Sequence, residues 1–113
     1  MPTVYKGTDY RNVRQLLANG GPISEEVAGN ISYVEVYINQ NLCFDSSDEG
    51  EELIYNPDNG KITMKLGLVA ALNAGTTYTA WITAYDEVNV NGIPYGTFSL
   101  VVEPWYMCPE EEP

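Results

Sequence analysis

The chain has 113 residues, and its formal net charge of -11 arises from 16 acidic residues against 5 basic ones. Such acidity repels phosphate backbones and anionic lipid surfaces, so it argues against nucleic acid and membrane partners. The chain contains no histidine, which removes the commonest general acid–base group and the commonest metal ligand. We therefore expect a protein that is not an enzyme and that holds no cofactor or metal.

The length and the residue types predict one domain built from strands. Hydrophobic residues make up 44% of the chain, enough for a core, and nine tyrosines, ten glycines and seven prolines favour strands separated by turns. The chain starts without the apolar run of a signal peptide, and its longest apolar stretch, residues 66–72, is too short to span a bilayer. We expect a cytoplasmic origin, with Cys43 and Cys108 as free thiols.

The first half of the chain predicts four strands in order. One covers residues 9–17, and the next, residues 31–38, shows the clean alternation of a half-buried strand. Its two faces carry Val34, Val36 and Ile38 on one side and Tyr33, Glu35 and Tyr37 on the other. Short strands at 42–44 and 53–55 flank an acidic segment that we expect to be an exposed loop.

The second half predicts three elements with strong signals and one with a weaker signal. The turn Asp58-Asn59-Gly60 precedes an alternating strand at 61–66 with Ile62, Met64 and Leu66 pointing inward. Residues 67–74 break the alternation and predict one or two helical turns. The strand at 77–85 carries large side chains on both faces and should be central, and the last strand covers residues 95–103.

About seven short strands at this spacing predict an all-β fold, an antiparallel two-sheet sandwich of the immunoglobulin-like kind with one short helical insertion near 67–74. A small barrel is the alternative architecture. The sandwich domain is expected at 9–103, between an amino-terminal arm at 1–8 and a carboxy-terminal arm at 104–113. Trp81 is expected in the core, as sandwich tryptophans usually are.

The acidic segment partly matches a calcium-binding loop. Asp45, Ser47 and Glu49 stand at positions one, three and five of such a loop. Gly50 follows at position six, but Asn56 occupies position twelve, where a bidentate glutamate is required. We therefore interpret the segment as a solvated loop. Paired carboxylates of the glycosidase type are present in the composition, but they would need a deep cleft.

The candidate partner-binding residues lie towards the two ends of the chain. They are Tyr5, Arg11, Arg14, Trp105, Tyr106 and Met107. The aromatic residues and the methionine are types found at the centres of protein interfaces, and they follow or precede the predicted domain as arm anchors. The two arginines are candidate charge partners for acidic surface on a neighbouring subunit.

A second candidate site lies on the presumed outer face of the strand at 31–38. Tyr33 and Tyr37 flank Glu35 there, and exposed tyrosines serve either protein contacts or sugar stacking because the ring is apolar with a polar tip. These three residues are the candidate glycan-binding set.

A family resemblance rests on a succession of segments that spans residues 7–102. These segments are GTDYRNVRQLL, NGGPISEEVAGNISYVEVYI, NGKITMKLG, AGTTYTAWITAYD and GIPYGTFSLVV. Their order resembles small bacteriophage virion proteins with an immunoglobulin-like sandwich, such as the amino-terminal modules of baseplate and tail proteins and some capsid decoration proteins. No functional residue carries over from this pattern.

The resemblance implies a non-enzymatic virion structural protein, located in the virion and assembled in the host cytoplasm. Its expected partners are other virion proteins, of the capsid or the tail, and copies of itself, bound through the terminal arms. The alternative function is a carbohydrate-binding module that recognises host-surface glycans through Tyr33, Glu35 and Tyr37. A small acidic enzyme is a third and weaker hypothesis.

Overall fold

The computed structural model describes residues 2–18, 20–38, 42–47, 50, 52–106 and 108, which form ten strands and one helix. The strands are, in chain order, β1 (Thr3–Lys6), β2 (Asn12–Gln15), β3 (Leu17–Ala18), β4 (Gly21–Pro22), β5 (Ile31–Ile38), β6 (Leu42–Asp45), β7 (Leu53–Asn56), β8 (Lys61–Met64), β9 (Thr76–Asp86) and β10 (Ile93–Pro104). The helix α1 (Glu25–Asn30) lies between β4 and β5. The predicted all-β class is confirmed.

The largest sheet, called the main sheet below, has five strands in the order β1-β10-β9-β5-β6. The pairs β10–β9, β9–β5 and β5–β6 are antiparallel, whereas β1 runs parallel to β10. The sheet is therefore mixed, and the prediction of antiparallel pairing throughout is wrong for β1. A parallel neighbour needs a long connection, and here almost the whole chain supplies it. β9 lies at the centre, as predicted.

A second sheet contains three antiparallel strands in the order β2-β8-β7, and β3 and β4 form a separate short hairpin. The turn that leads into β8 depends on Gly60, which has a φ of 69°. A Cβ atom at this position would lie 2.7 Å from the Ile23 side chain, so only glycine fits both the conformation and the space.

One hydrophobic core joins residues of both larger sheets. On β5 and β9 the buried residues are Ile31, Val34, Val36, Ile38, Tyr78, Ala80, Ile82 and Ala84, and on β8 and just beyond it the buried hydrophobic residues are Ile62, Met64 and Leu66. The predicted inward faces of β5 and β8 are therefore confirmed. Burial of this kind of apolar side chain stabilises a fold by about 25 cal/mol per Å² removed from water.

Two predictions about the core and the helix are wrong. Trp81 is 41% exposed, because the alternation of β9 puts it opposite the buried Ala80 and Ile82. Residues 67–74 form turns instead of a helix, and the carbonyl of Leu66 accepts from the N–H of Val69 three residues on.

The helix that does form is α1, which was not predicted from the sequence. The Ser24 side chain accepts a hydrogen bond from the N–H of Val27 and so caps the amino terminus, and two glutamates follow in the first turn. This is a standard helix-start signal. Its six residues bury a single side chain, Ala28, so no apolar periodicity marks it.

Candidate functional site

The two ends of the domain meet in a group of three aromatic side chains, Tyr5, Tyr10 and Trp105, called the terminal cluster below. The ring centroids of Tyr5 and Tyr10 are 5.1 Å apart, and those of Tyr5 and Trp105 are 5.2 Å apart. Both pairs meet edge to face, the arrangement that aromatic quadrupoles favour. Trp105 is 55% exposed and Tyr10 54%, so the cluster presents apolar ring surface to the outside.

The parallel pairing of β1 with β10 brings these rings together. Tyr5 lies opposite Glu103 in the register, so its side chain stands beside the last residues of β10. Val4 is buried in the core and holds β1 in place. Residues 3–6 of the predicted amino-terminal arm therefore form a strand of the main sheet.

A turn after β1 brings Tyr10 back to the side of Tyr5. The Thr8 hydroxyl and the Thr8 N–H both donate to the carbonyl of Tyr5, and the Gly7 N–H donates to the carbonyl of Gly67 at 2.8 Å. Tyr10 was missed by the sequence reading, because no periodic pattern relates it to Tyr5. Only the folded turn shows that the two rings touch.

The terminal cluster lines a surface cleft of about 490 Å³, together with Thr8 and Asp9. The Asp9 carboxylate lies 3.3 Å from the ammonium group of Lys65 and is itself largely exposed. Three aromatic rings around one carboxylate can receive an apolar or aromatic side chain from a partner, with polar contacts at the rim.

The other predicted partner-binding residues have different positions. Tyr106 follows the cluster and is 88% exposed, and Arg11 is exposed next to Tyr10 in the chain. The guanidinium carbon of Arg14 lies 4.6 Å from the centroid of the Phe98 ring, a cation–π contact inside the fold. Met107 lies outside the described residues, as do residues 109–113 of the predicted carboxy-terminal arm.

A second aromatic surface lies on the main sheet, on the side opposite the core. It consists of Tyr33, Tyr37, Trp81 and Tyr85 and is called the outer aromatic face below. Tyr33 and Tyr85 are register partners whose rings stack at 4.6 Å with an interplanar angle of 11°. Tyr37 and Trp81 are register partners too, with centroids 5.6 Å apart.

The candidate glycan-binding residues thus share one face, and β9 adds two rings that the sequence reading did not include. Trp81 was missed because it was assigned to the core. Glycan binding by Tyr33, Glu35 and Tyr37 stays a prediction.

Carboxylates accompany the rings on the outer aromatic face. The Tyr85 hydroxyl donates to Oε1 of Glu35 at 3.3 Å. Burial, and after it the negative charge of Glu35, raises the pKa of Tyr85 above its usual value of 10.0. Glu35 also lies directly opposite Asp45 on β6, so two acidic side chains stand next to each other. Like charges in this position repel each other and attract cations.

A pair of acidic residues, Asp86 and Glu87, lies in another cleft of about 620 Å³. The N–H of Asn89, with its side-chain amide, lowers the pKa of the Asp86 carboxyl. A general acid needs the opposite shift, so Asp86 is poorly suited to donate a proton near neutral pH. Among the described residues, no three histidine, cysteine or acidic side chains gather in a way that would hold a metal ion. Asp48, Glu49 and Glu51 of the acidic loop lie outside the described residues.

No protein-family model matches this chain, and no curated protein matches it significantly in sequence. Within the described part of the chain, no helix has the length and apolar character needed to cross a membrane.

Proposed function

We propose that this chain is a non-enzymatic structural protein of a bacteriophage virion, either a capsid decoration subunit or a tail-associated one, with an immunoglobulin-like two-sheet sandwich. It binds neighbouring virion subunits through the terminal cluster and the adjoining Tyr106. The observation that carries this proposal is the contact between Tyr5 and Trp105, which joins both ends of the domain in one aromatic patch.

The chemistry of the patch supports a protein partner. Tyrosine and tryptophan are enriched where interfaces concentrate their binding energy, since they bury much apolar surface at a low cost in conformational entropy. Tyr106 exposes 88% of its surface, and a monomer gains nothing from placing a large ring there. Packing on a neighbour would remove this ring, together with Trp105, from water.

Charge adds selectivity to this contact. Arg11 is exposed beside Tyr10, whereas most of the chain is acidic. An acidic neighbour, including another copy of this chain, therefore meets a favourable charge next to the terminal cluster. Repetition on a symmetric virion would turn modest individual contacts into stable attachment in the host cytoplasm, where the particle assembles.

Incorporation into particles tests the proposal. Trp105→Ala combined with Tyr106→Ala leaves β10 intact and should lower the number of copies per purified particle roughly tenfold or more, because two anchor rings are lost. Quantitative mass spectrometry of purified particles measures this occupancy, and circular dichroism checks that the variant is folded.

Val88→Ala is the matched control, since Val88 is a highly exposed apolar residue in a loop of the domain. It should leave occupancy unchanged. Full occupancy of the double variant would show that the terminal cluster does not attach the protein, and absence of the unaltered chain from particles would contradict the virion role itself.

A further inference from the structure

The charged side chains on the outward side of the main sheet are all acidic among the described residues, and the terminal cluster does not account for them. It carries the carboxylates of Glu35, Asp45 and Glu103, and no lysine or arginine stands at any outward strand position among the described residues. The basic residues of the chain lie elsewhere: Lys6 on the inward side of β1, Arg11 before β2, Arg14 on β2, Lys61 on β8 and Lys65 just after it.

The rings on this face are arranged in two unequal pairs. Tyr33 and Tyr85 cover one another by stacking, so each has one ring surface already in contact. Tyr37 and Trp81 meet at 54° and remain 37% and 41% exposed. The second pair therefore offers the accessible aromatic surface, and tryptophan is the best aromatic partner for a cation.

The carboxylates lie close to that accessible pair. Glu35 is two residues from Tyr37 on the same face, and its register partner Thr83 is two residues from Trp81. In an antiparallel sheet such diagonal neighbours are about 7–8 Å apart, within reach of one long side chain. A cation that stacks on Trp81 would thus have a carboxylate beside it.

We infer that the outer aromatic face binds a basic segment of another protein, whose arginine or lysine side chains stack on Trp81 and Tyr37 and pair with Glu35 and Asp45. Charge complementarity decides this choice of occupant. A second copy of the chain that met this face with its own outer aromatic face would be repelled, because both faces are acidic. A neutral sugar could donate hydroxyl hydrogen bonds to these carboxylates but carries no positive charge to balance the pair, and an acidic sugar is repelled by them. This inference does not depend on the terminal cluster.

Fluorescence isolates the site, because the chain has two tryptophans and Trp105→Phe leaves Trp81 as the only one. In that background, a short oligoarginine peptide should change the Trp81 emission saturably. An oligocitrulline peptide of the same length, which keeps the shape and lacks the charge, should not. A response to neutral oligosaccharides with none to oligoarginine would overturn the inference in favour of glycan binding.

Calorimetry on variants separates a site from general attraction to an acidic protein. Trp81→Ala with Tyr37→Ala should weaken oligoarginine binding roughly tenfold. Glu35→Gln keeps the shape of the side chain and the fold, and should weaken it about fivefold. Asp58→Asn is the matched control, because it removes one charge from an exposed turn beside the other sheet. Equal weakening by Glu35→Gln and Asp58→Asn would mean diffuse attraction and would contradict a site.

Discussion

The two faces of the main sheet divide the side chains of one strand by size and chemistry. On the inward face, β9 carries Tyr78, Ala80, Ile82 and Ala84, all buried. On the outward face the same strand carries Trp81 and Tyr85 among threonines. Trp81 and Tyr85 thus stand on the side away from the core, while the inward face of β9 has one ring, Tyr78, and two alanines.

This difference shows where the core has little room. Ala80 and Ala84 are completely buried, which means that neighbouring side chains fill the space next to the backbone of β9. A polar group on the inward face needs an internal partner, and the Tyr78 hydroxyl has one because it accepts from the N–H of Asn73. The inward face therefore determines stability, and we expect the outward face to determine recognition.

The sharpest test of this division compares two adjacent residues of β9. Ile82→Ala should lower the free energy of unfolding by roughly 2–5 kcal/mol, because it leaves a cavity in a packed core. Trp81→Ala, one residue away on the outward face, should cost less, because it opens no internal cavity and loses only the covered part of the ring and the pairing with Tyr37, which is worth about 0.5–1.5 kcal/mol beyond the covered area. Urea unfolding measures both. A larger loss for Trp81→Ala would break the division between the faces.

Substitution of a glycine that lies against the outer aromatic face should lower stability less than Ile82→Ala does. Gly92 has a φ of 94°, and a Cβ atom there would lie 2.5 Å from Cγ2 of Thr83 and 3.0 Å from Cε1 of Tyr85. Gly92→Ala should therefore cost roughly 1–3 kcal/mol and shift the Tyr85 ring signals in NMR spectra.

Gly96 provides the control for that substitution. It has a φ of 101°, but a Cβ atom added there meets nothing within 4 Å. Gly96→Ala measures backbone strain alone, so the additional loss in Gly92→Ala reports the contact with the outer aromatic face. Equal losses, with unshifted Tyr85 signals, would show that Gly92 does not support that face.

The smallest expected effect is the pH dependence of a tyrosine that packs on the core. Burial, with the nearby Tyr95, raises the pKa of Tyr55 from 10.0 to about 12, and its hydroxyl donates to the carbonyl of Ala28 at 2.7 Å. The folded chain then keeps this proton at a pH where the unfolded chain loses it. Stability should fall as the pH rises from 10.0 towards about 12.

Tyr55→Phe should remove that part of the alkaline loss, and denaturant unfolding across this pH range measures the difference. The variant also loses the bond to Ala28, so its free energy of unfolding at neutral pH serves as the baseline. An unchanged slope with pH would mean that Tyr55 titrates alike in both states.

Local patterns predicted the faces of strands but not their neighbours. The alternation at Ile31–Ile38 and the glycine turn before β8 were sufficient, because period two and a positive φ are properties of a few adjacent residues. β1 was not predicted, since four residues carry too little pattern to distinguish a strand from an arm. Trp81 was misplaced because residue type was preferred to the parity of its own strand.

The candidate sites were predictable only where their residues belong to one strand. Tyr33, Glu35 and Tyr37 were predicted to share a face because they belong to one strand. The contact of Tyr5 with Tyr10 and Trp105 depends on a turn and on a parallel pairing between distant segments, and neither leaves a periodic signal in the sequence.

The parallel pairing of β1 with β10 also constrains the order of folding. Thr3–Lys6 must find residues at the far end of the domain, so this contact has nearly the largest sequence separation that the chain allows. Contacts of this kind form slowly, because the intervening chain must be closed into a loop first. During synthesis β1 has no strand to pair with until β10 leaves the ribosome. Until β1 docks, β10 exposes an edge of unpaired backbone groups. Docking of β1 covers this edge of β10 and leaves the much shorter β1 as the edge strand, and it is expected to be the last step in completing the sheet.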